Sequence, residues 1–300
     1  MHIVTLSFDD GFRESNLQIA EIYERFGLRA CMNVLAAPEE LVSEQEEWGT
    51  DRGGFELWNE LQARGHEIMP HGYNHANKRE IGFEKAKASI VRCLEVFTQK
   101  LDGFDPAEAV FNFPYNQSTP GLEEWLPTVV RGFRTSGGGL NPLPHPGMVK
   151  LTTTGVGPGN CEWHITEQIE LLMSQPEGWL VYNTHGLEEE GWGPIRASYL
   201  EHLLGQLVSK GVEVLPAGAA LGRRRRSRRR RISAGRRRLQ AEACGTRNAK
   251  GVAGDKLLPH GRANGRWKRR ANSCAPLRMN GNWGRARDPA GHEGPALPVD

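Results

Sequence analysis

The chain has 300 residues, 38% hydrophobic and 25% charged, with a formal net charge of +2. That balance belongs to a soluble, enzyme-sized protein and excludes a membrane span or a disulfide miniprotein. The small net charge conceals two halves: 16 basic and 31 acidic residues up to Leu221 give −15, and 22 basic and 5 acidic residues from Gly222 on give +17. A boundary is therefore expected there, with a folded region over 1–221 and a different segment over 222–300. The five cysteines (Cys31, Cys93, Cys161, Cys244, Cys274) are odd in number, scattered and without a Cys-x-x-Cys pair. This argues against a disulfide framework or a thiolate zinc site. Met1-His2-Ile3-Val4-Thr5-Leu6 leads straight to Asp9 and Asp10, with no room for a leader, so the expected location is cytoplasmic.

Along residues 1–221, short branched apolar runs alternate with stretches of helical period, which predicts an α/β fold with parallel strands. Strands are expected at 3–8, 30–34, 67–69, 109–112, 133–135, 149–152, 179–183 and 212–215. Between them, Leu17, Ile19, Ala20, Ile22 and Tyr23 share one helical face, and Ile90, Val91, Leu94 and Phe97 share another. Later helices are expected at 165–173 and 198–210, the last closed by Gly211 in the left-handed region. The Pro- and Gly-rich stretches 141–146 and 155–159 read as loops.

The first strand ends Ser7-Phe8-Asp9-Asp10-Gly11. Adjacent carboxylates repel unless their roles separate, typically a metal on one and a proton on the other; the alternative is a solvated turn. The third ends Pro70-His71-Gly72-Tyr73-Asn74-His75, where a four-residue spacing lets two imidazoles share a cation or simply pack in the core. With Asp10 the pair makes two nitrogens and one oxygen, the donor set of a catalytic divalent ion with an open position. Zinc is the first expectation, with cobalt, manganese, nickel or iron as alternatives. Phe111-Asn112-Phe113-Pro114-Tyr115 and Tyr182-Asn183-Thr184-His185-Gly186 end two further strands. In a β/α barrel all four ends converge on one rim, where such folds keep their active sites.

In the order and spacing of these motifs, residues 1–220 resemble the polysaccharide deacetylase family, also called NodB-homology domains or carbohydrate esterase family four. The resemblance implies a distorted TIM-like (β/α) barrel of about seven strands and metal-assisted removal of N- or O-acetyl groups from carbohydrate. It also implies Asp9 as general base, Asp10, His71 and His75 as metal ligands, Pro114-Tyr115 as the loop whose Tyr115 amide holds the oxyanion, and His185 as general acid. Asn112 stands where the family carries an arginine that steers the base, and Gly72 stands where it carries Ser or Thr. The stretch Arg134-Thr135-Ser136-Gly137-Gly138-Gly139 shows no recognisable fourth motif.

Asn112, Pro114, Tyr73 and Trp192 are the candidate substrate contacts. Trp192, in a Gly-flanked loop after His185, reads as a lid or sugar platform, or else as that loop's hydrophobic anchor. Two other functions stand beside deacetylation: metal-free hydrolysis of small cyclic amides such as ureides or imides, and carbohydrate binding without catalysis. The expected partner is an acetylated sugar or a small amide, with no membrane. The segment from Gly222 on has three arginine runs, eight Ile, Leu or Val and no Phe in 79 residues, so disorder is expected. It reads as a non-native C-terminus from a shifted frame in GC-rich DNA, a plain solvated tail, or a basic arm contacting nucleic acid non-specifically.

Overall fold

A computed structural model of the chain describes residues 1–41 and 51–222. All but the first residue of the expected tail, and so the expectation of disorder, lie outside the described residues. Nine strands are present: β1 (His2–Phe8), β2 (Cys31–Val34), β3 (Glu67–Pro70), β4 (Val110–Asn112), β5 (Gly132–Ser136), β6 (Leu140–Asn141), β7 (Lys150–Thr153), β8 (Gly178–Thr184) and β9 (Glu213–Val214) among the described residues. The α-helices are α1 (Arg13–Arg25), α2 (Phe55–Ala63), α3 (Phe83–Lys100), α4 (Pro120–Trp125), α5 (Glu162–Met173) and α6 (Ala197–Ser209).

The expected alternation of strand and helix is present, and every expected strand is found within a residue or two. β1 is the centre: β8 pairs along its whole length in parallel, while β2 and β9 share its other edge. The larger sheet runs β3-β2-β1-β8-β6, and a second, all-parallel sheet runs β4-β5-β7. A single parallel bridge, Thr154 to Tyr182, links them on one side. On the other side β3 and β4 form no ladder. Pro70 has no N–H to offer, and the Val110 amide donates to Met69 Sδ at 3.3 Å instead of to a carbonyl. The expectation of a TIM-like barrel is corrected accordingly: this is an α/β fold of two sheets, not a closed barrel.

Period-two alternation sorts the side chains into layers. Val4, Leu6 and Phe8 of β1 and Leu180 and Tyr182 of β8 face the helices in the main core. The opposite faces point inward, where Ile3, Cys31, Val110, Leu151, Trp179 and Val181 form a second apolar cluster at the base. Ala217, Ala220 and Leu221 complete that cluster from a helical turn at 217–222, so the chain continues as a helix where its sequence reaches the expected boundary. Above the base, the inward positions are polar: Ser7, Asn33, Asn112, Arg134, Thr153 and Asn183, all buried.

The helices follow their apolar periods. α3 buries Ala86, Ile90, Cys93, Leu94 and Phe97, whereas Val91, expected on that face, is 36% exposed. α6 buries Leu200, Leu203, Leu204 and Leu207 and ends at Gly211 in the expected left-handed cap. β6 takes Asn141, the first residue of the expected loop 141–146, into a strand that pairs antiparallel with β8. It is two residues long, too short for any period to show in sequence. Among the described residues no helix is long and apolar enough to cross a membrane.

Candidate metal centre and active site

The polar layer leads up to the rim at the strand ends, where β1 delivers Asp9 and Asp10. Both carboxylates are buried, at 2% and 3% exposure, so their charges must be compensated locally. Asp9 is clamped: Arg134 donates from Nη1 to Oδ1 at 2.8 Å and from Nη2 to Oδ2 at 2.6 Å, and Asn33 Nδ2 donates to Oδ1 at 2.7 Å. Arg134 Nη1 also donates to Ser7 Oγ at 2.7 Å. Burial pushes the Asp9 carboxyl up, but the Arg134 guanidinium and then His71 outweigh it and hold it below its usual range.

Asp10 faces two imidazoles. Its Oδ1 lies 3.4 Å from His71 Nε2 and 3.3 Å from His75 Nε2, and its Oδ2 lies 3.9 Å from His185 Nε2. Burial would raise this carboxyl too, yet the histidines, His75 foremost, hold it well below its usual range. His75 is pushed down by burial to about 4, so its ring is neutral at neutral pH.

The donor set fits a divalent cation. One ligand atom from each of Asp10, His71 and His75 falls within 4.8 Å of the others. Asp10 Oδ1 is buried with no hydrogen-bond partner among the described residues. The His71 Nδ1–H points at the Asn112 carbonyl at 3.1 Å, which leaves the Nε2 lone pair facing Asp10.

The loop that carries both histidines turns at Gly72, where φ is +92°. A Cβ there would sit 3.0 Å from Pro114 Cγ and 3.8 Å from Lys78 Nζ. Gly72 is thus required by the turn and by the close approach of the Pro114 loop. Lys78 is fully buried behind this loop, with Ser89 Oγ accepting from Nζ at 3.0 Å, and burial depresses it to about 8. A base depressed from 10.5 binds fewer protons folded than unfolded between about pH 8 and 10.5, so this group makes the fold more stable as pH rises through that window. Replacing Lys78 with methionine is expected to add up to about 3 kcal/mol at pH 7 and to remove that alkaline rise. Denaturant unfolding of both proteins at pH 7 and 10 checks this; equal pH dependence would contradict it.

Asp9, His71, His75, Tyr115, Asn116, Gln117, Asn183, His185 and Trp192 line one cavity of about 280 Å³. Tyr115 sits in the left-handed region at φ +56°, its ring 4.6 Å from that of His75. Trp192 packs edge-on to His185 with centroids 6.0 Å apart, and it seats against Gly157, so it is both wall and loop anchor.

Three expected substrate contacts stand elsewhere. Tyr73 turns away, its hydroxyl donating to Glu40 at 2.7 Å and its ring under Arg92. Pro114 packs under Gly72. Asn112 lies in the polar layer, donating to Asn33 Oδ1 at 2.8 Å.

Arg134, Asn33, Ser7 and Asn183 escaped the sequence reading. Arg134 and Asn112 are register partners on neighbouring strands, so an arginine on β5 reaches the level that Asn112 holds on β4. The arginine expected at Asn112 is therefore supplied from the next strand. A charge inside Gly132-Phe133-Arg134-Thr135, at an inward position, was the available signal.

The sequence model of the family described as polysaccharide deacetylase matches residues 1–125. The resemblance to that family therefore holds over the stretch with Asp9, Asp10, His71, His75 and Tyr115, while His185 lies beyond it. Among solved structures, the Xyl-CE4 domain of a multidomain xylanase from the hindgut metagenome of Trinervitermes trinervoides shares the fold. Its TM-score is 0.51 at 12% identity, over 74% of this chain and 90% of that one. Peptidoglycan deacetylase PdaC from Bacillus subtilis gives 0.48 at 14% identity, over 77% of this chain and 96% of that one. A family 4 acetyl xylan esterase from Clostridium thermocellum, in complex with a cobalt ion, gives 0.48 at 16%, over 71% and 87%. No curated protein matches by sequence.

Proposed function

We propose that the chain is a metal-dependent hydrolase of the polysaccharide deacetylase type, cleaving a non-peptide C–N bond to free an acyl group from carbohydrate. The observation that carries it is Asp10 Oδ1, buried without a hydrogen-bond partner between two imidazole nitrogens and beside a second, clamped carboxylate. A divalent ion held by Asp10, His71 and His75, with zinc the first choice for two nitrogens and one oxygen, would polarise the amide carbonyl and acidify water. Asp9, fixed by Arg134 and Asn33, takes the proton of the attacking water. His185 protonates the departing nitrogen, and the Tyr115 amide donates to the developing oxyanion. On this reading the protein acts in the cytoplasm; among the described residues Cys31, Cys93 and Cys161 are free and buried, which a reducing compartment accommodates.

An Asp9→Asn variant is expected to lose at least about 100-fold in turnover, as befits a general base. Acetate release from N-acetylhexosamine oligomers measures this. Unchanged release would remove Asp9 from the mechanism, and saturable sugar binding with no release by the wild type would favour a binding protein. On this reading the catalytic unit ends near Leu221, so truncation there leaves turnover unchanged at low and high salt. Loss of turnover at both would show that later residues complete it. Contact with nucleic acid is confined to the arginine runs and weakens with salt.

A further inference from the structure

The site cavity has a polar floor that the mechanism above does not use. Asn183 lies two residues before His185 on β8 and is the register partner of Ser7 on β1, so it stands one inward position, about 7 Å, below the level of Asp9 and His185. It is 3% exposed and lines the cavity. Its Oδ1 accepts from Asn116 Nδ2 at 3.0 Å and faces Thr153 Oγ1 at 3.4 Å. Among the described residues nothing accepts from its Nδ2. A Cβ at Gly155 would come within 2.9 Å of that Oδ1, so the amide is seated where the neighbouring residue has no side chain. Asn116 Oδ1 is buried without a partner. The Asn183 amide therefore keeps its N–H donor group uncommitted beside the cavity, while its oxygen is held by Asn116 and Thr153.

Among the described residues, the only large nonpolar surfaces lining the cavity are the rings of Tyr115 and Trp192. The scissile bond must sit at the level of Asp9 and His185, with the carbohydrate leading out through the mouth. The short acyl group then takes the floor. A bare methyl there would cover the Asn183 N–H groups without satisfying them, an arrangement that costs more than the methyl gains.

Resting on the hydrolase reading, we propose that Asn183 determines specificity, and that the acyl group removed carries its own hydrogen-bonding oxygen or nitrogen next to the scissile carbonyl, as glycolyl and carbamoyl groups do, in preference to acetyl. The glycolyl hydroxyl accepts from Asn183 Nδ2. Sites built around a substrate hydroxyl discriminate strongly against the analogue that lacks it.

The test compares N-glycolyl- with N-acetyl-glucosamine oligomers as substrates, and glycolate with acetate as calorimetric ligands, using the full chain and its Asn183→Leu variant. The wild type is expected to prefer glycolyl by at least tenfold in kcat/KM and to bind glycolate at least tenfold more tightly. Asn183→Leu, which keeps the branched shape and removes the amide, is expected to reverse both preferences. Glycolate preference without turnover of either oligomer would sustain the floor assignment and count against the hydrolase reading alone. Glycolate binding no tighter than acetate in the wild type, or no binding of either, overturns the assignment. That arm needs no variant, so misfolding of Asn183→Leu cannot mask the answer.

Discussion

Alanine in place of His71 or His75 is expected to abolish metal retention and turnover together, with turnover falling by about 1,000-fold or more, since the ion contributes several kcal/mol to the barrier. Each imidazole is one of the two whose nitrogens face Asp10 Oδ1, and among the described residues the group of candidate ligand atoms within 4.8 Å of one another has no fourth member. A readout independent of catalysis comes from linkage. A ligand that binds only the folded state at 100 times its Kd stabilises by about 2.7 kcal/mol. Chelation should therefore lower the wild-type Tm and leave the variants' Tm unmoved. Full activity of the chelated wild type and of both variants would reject the metal mechanism and return metal-free amide hydrolysis to the front.

Replacement of Arg134 by methionine is expected to cost about 3–5 kcal/mol of stability, the range for a buried ion pair stripped of one partner. The guanidinium makes two bonds to Asp9 and one to Ser7 at 1% side-chain exposure, so no water replaces it. Activity should fall as well, because Asp9 would keep only the Asn33 bond to orient it. The register of β4 on β5 offers a control: moving the arginine across the ladder, as Asn112→Arg with Arg134→Asn, should recover part of both losses. Urea unfolding and acetate release on the three proteins decide the matter. A single variant within about 0.5 kcal/mol of wild type would show that Asp9 needs no arginine.

The layering of the fold and the positions of its chemistry were legible in the sequence for the same reason. Strands alternate with period two, so Ile3, Thr5, Ser7 and Asp9 had to share a face, and a polar residue ending an apolar strand had to reach the rim. That local rule locates Asp9, Asp10, His71, His75 and His185, and the structure brings all five together. Helix periods were read as well, Val91 excepted, because a face two residues wide too many still fits the pattern.

What the sequence could not determine is which side chains meet across strands. Asn112 was read as a lost arginine because sequence order ranks residues along a strand, whereas Arg134 is its neighbour across the ladder, 22 positions later. Tyr73, flanked by residues of the histidine loop, turns outward to Glu40 because that loop reverses at Gly72. The open seam between β3 and β4 depends on a proline and a thioether meeting one amide. Composition, strand period and motif spacing belong to the sequence by itself; the clamp on Asp9, the polar floor at Asn183 and the unclosed barrel were decided by tertiary structure, because hydrogen bonds between buried groups form only where packing brings two distant segments to one level.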